Sequence, residues 1–593
     1  MKTTMEKLTA LRALMKEKGI GAYIIYNGDA HASEYVAGYW KSRTWISGFT
    51  GSSGLVVVTE NEAGLWTDGR YFIQAEKQLE GSGIDLYKMD MPGVPTYLEF
   101  IADKLPGNGK LGFDGRVVDV NEYGKIEEVL ENKNIACIYN VDLIEKIWTD
   151  RPAPPMEPAF EHELRFAGVS AGEKLAAVRE EMAKHNATAY LVTALDSIAW
   201  LMNIRGNDMP FTPVVYAYAV VTKDDAHVFV DKSKVENIAV NLKSQGFAIH
   251  DYDKLAGFLG QLEASGTLIY DQAKTSVLLE EAIPMNMAVV NDLEVDIIMA
   301  LKAVRTPGQL KNIRNAYLKE GVALVRLLKW LEEYPDITTL TEGDIARQIT
   351  HFREGQADFL QDGFSTIAAI GANAAQAHYS PGPVGDNLKA EGFLLIDTGA
   401  QYLDGTTDTT RTIPVGPITD EMKVHFTLVL KGYMGLARAV FPEGTTGTQL
   451  DVLARGALWE HGLDFRHGTG HGIGYCLGVH EGPQNISKKS SVPLVPGMMI
   501  SNEPAFYVAG EYGIRTENIE VVEKRAETEY GAFYGFETLM YCPIASKAVD
   551  ISLLNPAEVK HFNDYHSKTY EILSPYLKED EVKWLYNATR PIG

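Results

Sequence analysis

Short apolar runs and amphipathic stretches alternate along the first part of the chain. The runs at residues 22–26 (AYIIY) and 54–59 (GLVVVT) are almost entirely apolar and lie next to turn-forming residues. Runs of this length, bounded by turn signals, are typical of buried strands. A shorter run at residues 111–114 (LGFD) fits the same description. The pattern predicts an α/β domain over residues 1–158.

The same order of segments recurs in residues 159–304. Three segments there repeat segments of the first domain: 189–206 repeats 22–38, 214–231 repeats 52–68, and 268–276 repeats 111–119. A repeat this long indicates a duplicated domain, unlike the short periods of solenoid proteins. A proline-rich segment at 150–160 (DRPAPPMEPAF) predicts an extended linker between the two copies.

Helical patterns mark a third domain, which we place at residues 305–530. Thr306 precedes Pro307, and Gln309 follows three residues after Thr306, which is the arrangement of a capping box with proline at the first helical position. Apolar residues then recur at helical spacing up to residue 331. Further helices are predicted at 342–354, 420–440 and 449–460, with strands following each pair of helices.

A C-terminal extension is predicted at residues 531–593, with helices at 556–573 and 579–586. Its aromatic residues indicate a packing or an oligomer surface, and we expect a homodimer. These residues are Phe562, Tyr565, Tyr570, Trp584 and Tyr586.

The charge balance limits the classes of partner. The 593 residues carry a formal net charge of −24, with a sequence pI near 5.1. A nucleic-acid-binding protein needs basic patches, so we expect no nucleic-acid partner. Charged residues such as Lys7 and Arg12 interrupt the N-terminal stretch, which predicts an amphipathic helix and not a signal peptide. No apolar run is long enough to span a bilayer, so we expect no membrane partner and a cytoplasmic location.

Four carboxylates and one imidazole form the candidate metal-binding set: Asp397, Asp408, His471, Glu503 and Glu517. An oxygen-rich donor set suits a hard or borderline divalent cation such as Mn²⁺. Four carboxylates around one ion would leave excess negative charge, so two ions are expected. Pairs of ions bridged by carboxylates are a common hydrolytic device. The sequence therefore predicts a site for two divalent cations, with Mn²⁺ as the expected ion.

Local patterns place these side chains on predicted strands. The apolar run FLLI ends at Asp397 and a turn-forming Thr-Gly pair follows, so Asp397 is expected at the mouth of a strand. A threonine-rich stretch at 406–413 predicts a strand with Asp408 on one face. Arg515 and Glu517 are two residues apart in another predicted strand and share a face, so Arg515 is expected to pair with a ligand carboxylate.

Two other chemistries share parts of this pattern. Asp397-Thr398-Gly399 matches the short motif of aspartic proteases, but those enzymes need two carboxylates that share a proton, and the sequence has no second Asp-Thr-Gly. The glycine-rich run at 468–474 has the composition of a phosphate loop but lacks the glycine patterns typical of such loops. Glycines there are expected to let the backbone approach a site closely.

Five ordered segments carry a resemblance to a known family: IDTGAQYLDGTTDTTRT, HGTGHGIG, VHEGP, ISNEPAFY and GIRTENIEVV. Together they resemble the pita-bread metallopeptidases, and all five ligand positions of that family are matched. Within the family, the chain looks most like the long, three-domain, cytosolic aminopeptidase P branch, which removes an N-terminal residue preceding proline. The resemblance extends over nearly the whole chain.

This resemblance implies a mixed α/β (α+β) fold class. Two duplicated creatinase-N-like α/β domains would be followed by a pita-bread catalytic domain and a helical C-terminal tail. The catalytic domain would consist of two α-α-β-β halves that form one sheet with helices packed on it. The two halves would share the metal site.

The resemblance also implies which of the two ions each ligand would hold. Asp408 and Glu517 would bridge the two ions. Asp397 would hold one ion, and His471 with Glu503 would hold the other.

Further residues are implied in catalysis and substrate binding. Glu503 is the expected proton acceptor, and His480 is the expected donor to the oxyanion. His378 and His467 match the remaining histidines of the family site, which line the proline side of the substrate and hold its carbonyl. Arg70 is a candidate lid or substrate contact, with structural ion pairing as its alternative.

The expected substrates are peptides with proline at the second position. Two alternatives stay open at this point. A prolidase, which is a dipeptidase, would use the same ligands on Xaa-Pro dipeptides. A creatinase-like hydrolase is a further relative of this kind, but such enzymes work without metal. The other alternative is a non-catalytic pita-bread binding module, which typically loses metal ligands, whereas all five are present here.

Overall fold

Two six-stranded sheets with the same strand order organise the first of two compact units, which holds the chain up to His162 and Val169–Ile298. The computed structural model describes residues 2–593. In spatial order, the strands of the first sheet are Asp85–Lys88, Ala63–Thr67, Leu55–Thr59, Ala22–Ile25, Lys110–Gly112 and Ala136–Ile138. In the same order, the strands of the second sheet are Phe247–His250, Ala226–Val230, Ala217–Thr222, Ala189–Val192, Thr267–Ile269 and Ala288–Val290.

The two sheets also share their pairing. In the first, Ala22–Ile25 pairs antiparallel with Leu55–Thr59 and parallel with Lys110–Gly112, and Ala189–Val192 has the same two kinds of neighbour in the second. Both of these strands are buried at all four positions, because neighbouring elements cover both faces, and this explains their continuous apolar sequences. The predicted duplication of an α/β domain is confirmed.

Alternate residues of the central strand pack on opposite faces. Tyr23 packs with Leu8 and Leu11 of helix Thr4–Lys18, whereas Ile24 belongs to a separate cluster on the other face.

The proline-rich segment has neither helix nor strand over residues 151–159, as expected of a linker. The helices of this unit are Thr4–Lys18, Ser42–Ser47, Phe72–Leu79, Tyr97–Lys104, Val120–Leu130, Leu143–Ile147, Ala171–Lys184, Leu195–Met202, Ala239–Ser244, Leu255–Leu259 and Val277–Glu280. Helix Ile297–Ala303 begins in this unit and continues into the second.

A long helix, Pro307–Glu333, begins the main part of the second unit, which holds Glu163–Gly168 and Met299–Gly593. The Thr306 hydroxyl accepts the Gln309 N–H, and the Gln309 side chain reaches back to the Thr306 backbone. The predicted capping box is therefore confirmed. The other helices of this unit are Leu164–Ala167, Glu342–Glu354, Asp420–Ala437, Gly447–Trp459, Pro556–Leu573 and Glu579–Ala588, all but the first predicted with ends shifted by a few residues at most.

Two sheets meet in the middle of this unit. One consists of Ile367–Ile370, Phe393–Thr398 and Thr409–Pro414; the other consists of Val440–Pro442, Gly531–Thr538, Asn518–Thr528 and Met499–Asn502. The Glu517 N–H donates to the Thr410 carbonyl at 3.2 Å and connects them. The expected single sheet is thus divided, because Asp408 and Glu517 lie in segments that leave the strand ladders.

Smaller sheets complete the second unit. Ala400–Tyr402 pairs with both Phe359–Asp362 and Gly405–Thr406, Gly470–His471 pairs with Asn485–Ile486, and Ala505–Val508 pairs with Tyr512–Arg515. Strand Gly531–Thr538 pairs along Asn518–Thr528, so the sheet continues past residue 530, where the tail was predicted to begin. The domain boundaries at 158, 304 and 530 stay predictions. None of the helices within residues 2–593 is both long and apolar enough to span a membrane.

Candidate metal centre

Asp408, His471 and Glu517 each bring one donor atom to a common centre. These three atoms lie within 4.8 Å of one another, although the residues come from segments far apart in the chain. Asp408 was expected on a strand face and Glu517 within a strand, but both lie in breaks between strands. A residue in such a break is released from the up-and-down alternation of a strand, so its side chain can turn towards the centre.

The backbone next to His471 sets the tautomer of its imidazole. Nδ1 lies 3.0 Å from the Gly472 carbonyl oxygen, which can only accept, so we assign the proton to Nδ1. Nε2 then presents its lone pair 3.5 Å from Asp408 Oδ2 and 3.4 Å from Glu503 Oε1. Burial, together with the neighbouring His480, lowers the pKa of His471 well below its ordinary value. A neutral imidazole beside two carboxylates is suited to binding a cation.

One hydroxyl connects two predicted ligands. Ser501 Oγ donates to Glu503 Oε1 at 3.2 Å and accepts the backbone N–H of His471 at 2.8 Å. Burial raises the pKa of the Glu503 carboxyl to about 7, with Arg515 opposing that shift and Asp397 adding to it. Glu503 thus belongs to the same buried group of charges.

The buried carboxylates disfavour one another's ionisation. Burial, then the charges of Glu517, Asp397 and Glu503, raise the pKa of Asp408 well above its ordinary value. Burial, Glu503 and Asp397 do the same to the pKa of Glu517. Oδ1 of Asp397 and Oδ1 of Asp408 are buried and have no hydrogen-bond partner among residues 2–593. Bound cations would relieve both the repulsion and the unpaired oxygens, so the donor set fits a metal centre.

Arg515 contacts three side chains of this group. Nη2 donates to Asp397 Oδ2 at 2.5 Å, Nε donates to Thr410 Oγ1 at 3.1 Å, and Nη1 donates to the Tyr507 hydroxyl at 2.6 Å. The Tyr507 oxygen lies 2.9 Å from His467 Nε2. The structure thus brings Arg515 against a predicted ligand carboxylate, and it connects His467 to the same network through Tyr507.

Tyr507 was not predicted, although the sequence holds a signal for it. Strands Ala505–Val508 and Tyr512–Arg515 form a hairpin in which Arg515 stands opposite Ala505. Tyr507 is then a diagonal neighbour of Arg515 in the ladder, within reach of its long side chain. A hairpin prediction centred on Gly510 would have placed the two side chains together.

Glycine allows close backbone approach beside His471. A Cβ at Gly470 would lie 1.9 Å from the Ser501 carbonyl oxygen, and one at Gly472 would lie 2.0 Å from the Glu481 carbonyl oxygen. Neither distance is tolerable for a carbon atom, so any larger residue would displace the strand that carries His471. The glycine-rich run therefore acts at the site as expected.

The three remaining predicted residues, His480, His378 and Arg70, lie in different parts of the structure. The His480 ring lies 4.3 Å from the His471 ring, centroid to centroid, and nearly perpendicular to it. His378 is half-buried in the turn after the 3-10 helix Gly371–Ala375. Arg70 belongs to the first unit, where Nε and Nη2 each donate to the Asp68 carboxylate at 2.8 Å. The functional roles of all three stay predictions.

Comparison with known proteins identifies the family of this chain. The model of metallopeptidase family M24 matches residues 311–524. Aminopeptidase P2 from Arabidopsis thaliana is 41% identical over 99% of this chain and 88% of its own length. Xaa-Pro aminopeptidase 1 from Dictyostelium discoideum is 37% identical over 99% of this chain and 96% of its own. The chain belongs to metallopeptidase family M24.

The other parts of this M24 chain also match family models. Residues 7–146 and 150–308 each match a creatinase/prolidase N-terminal domain, and residues 532–592 match the C-terminal region of peptidase M24. The X-prolyl aminopeptidase of Caenorhabditis elegans, described as a cytosolic enzyme with a di-nuclear active site, has a TM-score of 0.94 and 34% identity, covering 100% of both chains. The predicted fold class and the predicted Xaa-Pro aminopeptidase activity are confirmed by these relatives.

Proposed function

We propose that the protein removes the N-terminal residue from peptides with proline at the second position, using two divalent cations. These cations would be held at the centre formed by Asp408, His471 and Glu517. The observation that carries the proposal is the approach of donor atoms from Asp408, His471 and Glu517 to within 4.8 Å of one another. The unpaired buried oxygens of Asp397 and Asp408 support it. The C. elegans relative is described as di-nuclear, which supports two ions here. Four carboxylates and one imidazole suit a hard or borderline cation such as Mn²⁺ better than a thiolate-preferring one, and Mn²⁺ is the ion that we propose.

Five side chains would hold the ions: Asp408 and Glu517 between the two, Asp397 on one, and His471 with Glu503 on the other. Four ionised carboxylates carry four negative charges, which two divalent cations balance. When bound, such cations lower the pKa of a water molecule and polarise the carbonyl of the scissile bond. The protein's own contribution is to hold these ligands fixed in a buried site.

We assign proton transfer and oxyanion stabilisation to two side chains, Glu503 and His480. Glu503 is the proposed proton acceptor, with the Ser501 hydroxyl holding its Oε1 in place. His480 lies edge-on to the ligand His471, and we assign it the hydrogen bond to the oxyanion. His467 and His378 would line the proline side, and the contact of His467 with Tyr507 keeps its ring in one orientation.

The free amine of the substrate should lie against the acidic centre. An aminopeptidase must close the side that holds the first residue and leave the side beyond the proline open. Only one residue would then fit before the proline. Arg70 stays a candidate lid or substrate contact, with its ion pair to Asp68 as the structural alternative.

Three peptides test this function on the purified protein, treated with EDTA and reloaded with Mn²⁺. A tetrapeptide Xaa-Pro-Yaa-Zaa should lose only its first residue by mass spectrometry, and its N-acetylated form should be cleaved poorly. Cleavage confined to the Xaa-Pro dipeptide would instead identify a prolidase. Internal cleavage of the acetylated peptide would exclude an exopeptidase. A protein that neither binds metal nor cleaves any of the three would be a binding module.

We also propose a homodimer in the cytoplasm. The C. elegans relative is described as cytosolic. Of the tail aromatics, Phe562 and Tyr565 are buried within the unit, whereas Tyr586 is 54% exposed and offers surface for a second copy. Sedimentation velocity of the wild type and of Tyr586→Ser tests the dimer, and a wild type that sediments as a monomer would contradict it.

A further inference from the structure

Thr410 contacts two residues of the metal centre, Glu517 and Arg515. It is fully buried on strand Thr409–Pro414 and lies opposite Asp397 in the antiparallel ladder. Its hydroxyl lies 2.7 Å from Glu517 Oε2 and 3.1 Å from Arg515 Nε. Its carbonyl accepts the Glu517 N–H at 3.2 Å. A single residue therefore touches Glu517 through both backbone and side chain.

The direction of these hydrogen bonds is fixed by chemistry. Arg515 Nε can only donate, so the Thr410 hydroxyl accepts there and its one hydrogen remains for Glu517. Glu517 Oε2 accepts that hydrogen, which restrains rotation of the carboxylate about its last bond. The backbone hydrogen bond places the Glu517 main chain, and the hydroxyl is needed for the orientation of its side chain.

We propose that Thr410 is a positioning residue whose hydroxyl orients the Glu517 carboxylate for metal binding, with its own orientation set by Arg515. The inference rests on the proposed function, because it assigns Thr410 the task of holding a proposed ligand. Hydrogen-bond partners of metal ligands commonly set both the orientation and the basicity of the ligand. Loss of the hydroxyl would leave the Glu517 side chain in place but free to rotate.

Thr410→Val is the direct test, because valine keeps the branched shape and removes the hydroxyl. Calorimetric titration of the EDTA-treated full-length protein with Mn²⁺ measures affinity without relying on activity. We expect Thr410→Val to weaken at least one Mn²⁺ site by about 10-fold to 100-fold, and Thr410→Ser to stay within about 3-fold of the wild type. Rescue by serine would exclude a merely structural role for the side chain.

Thr569→Val is the matched control. Thr569 is also fully buried, and its hydroxyl donates to the Tyr565 carbonyl one turn earlier in helix Pro556–Leu573. This variant loses a hydroxyl of the same kind and should keep the wild-type affinity for Mn²⁺. A general effect of removing buried hydroxyls would appear in both variants.

Thr410→Ala covers the case in which Thr410→Val does not fold, because the difference between Thr410→Ser and Thr410→Ala isolates the same hydroxyl. Wild-type Mn²⁺ affinity in Thr410→Val, or equal affinities in the serine and alanine variants, would overturn the proposal. A wild-type protein that binds no Mn²⁺ would overturn the proposed function, and this inference with it. The two failures are therefore distinguishable.

Discussion

Arg515 and Asp397 lie 118 residues apart in the sequence, yet Nη2 of Arg515 donates to Asp397 Oδ2 at 2.5 Å. This contact occupies one oxygen of the carboxylate and leaves Oδ1 buried without a partner among residues 2–593. The arrangement is typical of a metal ligand oriented by a neighbouring group. Arg515 holds the carboxylate, and the opposite oxygen is available to a cation.

Arg515→Lys should weaken metal binding even though it keeps the positive charge. Arg515 uses three nitrogens to contact Asp397, Thr410 and Tyr507, and an ammonium group cannot reach all three. We expect Mn²⁺ affinity to fall by about 10-fold, within the range found when partners of metal ligands are changed. Titration calorimetry measures this, with Arg314→Lys as the control because Arg314 pairs with Glu537 at the surface. Equal affinity in both variants would contradict the role of Arg515.

Asp408→Asn should remove one of the two ions. Asparagine has the size of aspartate but lacks the charge that two cations would share. We expect a loss of activity of at least about 100-fold, comparable to removal of a key catalytic group. Metal counting beside kinetics checks this, with the exposed Asp420→Asn as the control. An Asp408→Asn protein with two ions and near-normal turnover would refute the assignment.

His480→Ala should lower kcat with little change in KM. A hydrogen bond to the oxyanion forms mainly in the transition state, so its loss does not weaken binding of the ground state. Metal content should not change, because His480 is not one of the proposed ligands. His461→Ala is the control, since His461 is exposed and its Nδ1 faces the Ala457 carbonyl of the preceding helix. Loss of metal from His480→Ala would show instead that the ring supports His471.

Local pattern sufficed for the helices of the second unit, apart from Leu164–Ala167, and for the N-terminal helix Thr4–Lys18. Thr306, Pro307 and Gln309 predicted the start of helix Pro307–Glu333 to the residue, because capping depends on neighbours within one turn. The central strands of the first unit followed from short apolar runs, since burial on both faces leaves little choice of residue. The repeat of the first domain in the second was visible for the same reason. Edge strands such as Asp85–Lys88 and Ala136–Ile138 are partly exposed and were not predicted.

The contacts of the metal centre could not be derived in this way. The ligand set followed from residue types and from the family motifs, but Asp408 and Glu517 were placed on strands that they do not occupy. The Thr410–Glu517 contact joins segments 107 residues apart, and no local period reports such a pairing. Tyr507 needed the register of a hairpin, which depends on the turn at Gly510.

Removal of the metal should change how stability depends on pH. In the ion-free protein, burial raises the pKa of Glu503 from its ordinary 4.5 to about 7. The pKa values of Asp408 and Glu517 are raised well above their ordinary values in the same direction, by burial and by neighbouring carboxylates. The folded state therefore binds more protons than the unfolded chain between pH 4.5 and 7. Stability falls as pH rises wherever the folded state holds the extra protons.

Mn²⁺ should stabilise the folded state more strongly as the pH rises, because it binds the ionised carboxylates of the folded state only. A ligand at about 100 times its Kd adds about 2.7 kcal/mol per site, and protons compete for the same oxygens at low pH. Calorimetric unfolding of the EDTA-treated protein, with and without Mn²⁺, should therefore show a gain in Tm that grows between pH 5 and 7.5. Glu517→Gln, which carries no titratable group at that position, should show a smaller dependence on pH. An equal gain in Tm at both ends of the range would mean that Mn²⁺ does not bind these carboxylates.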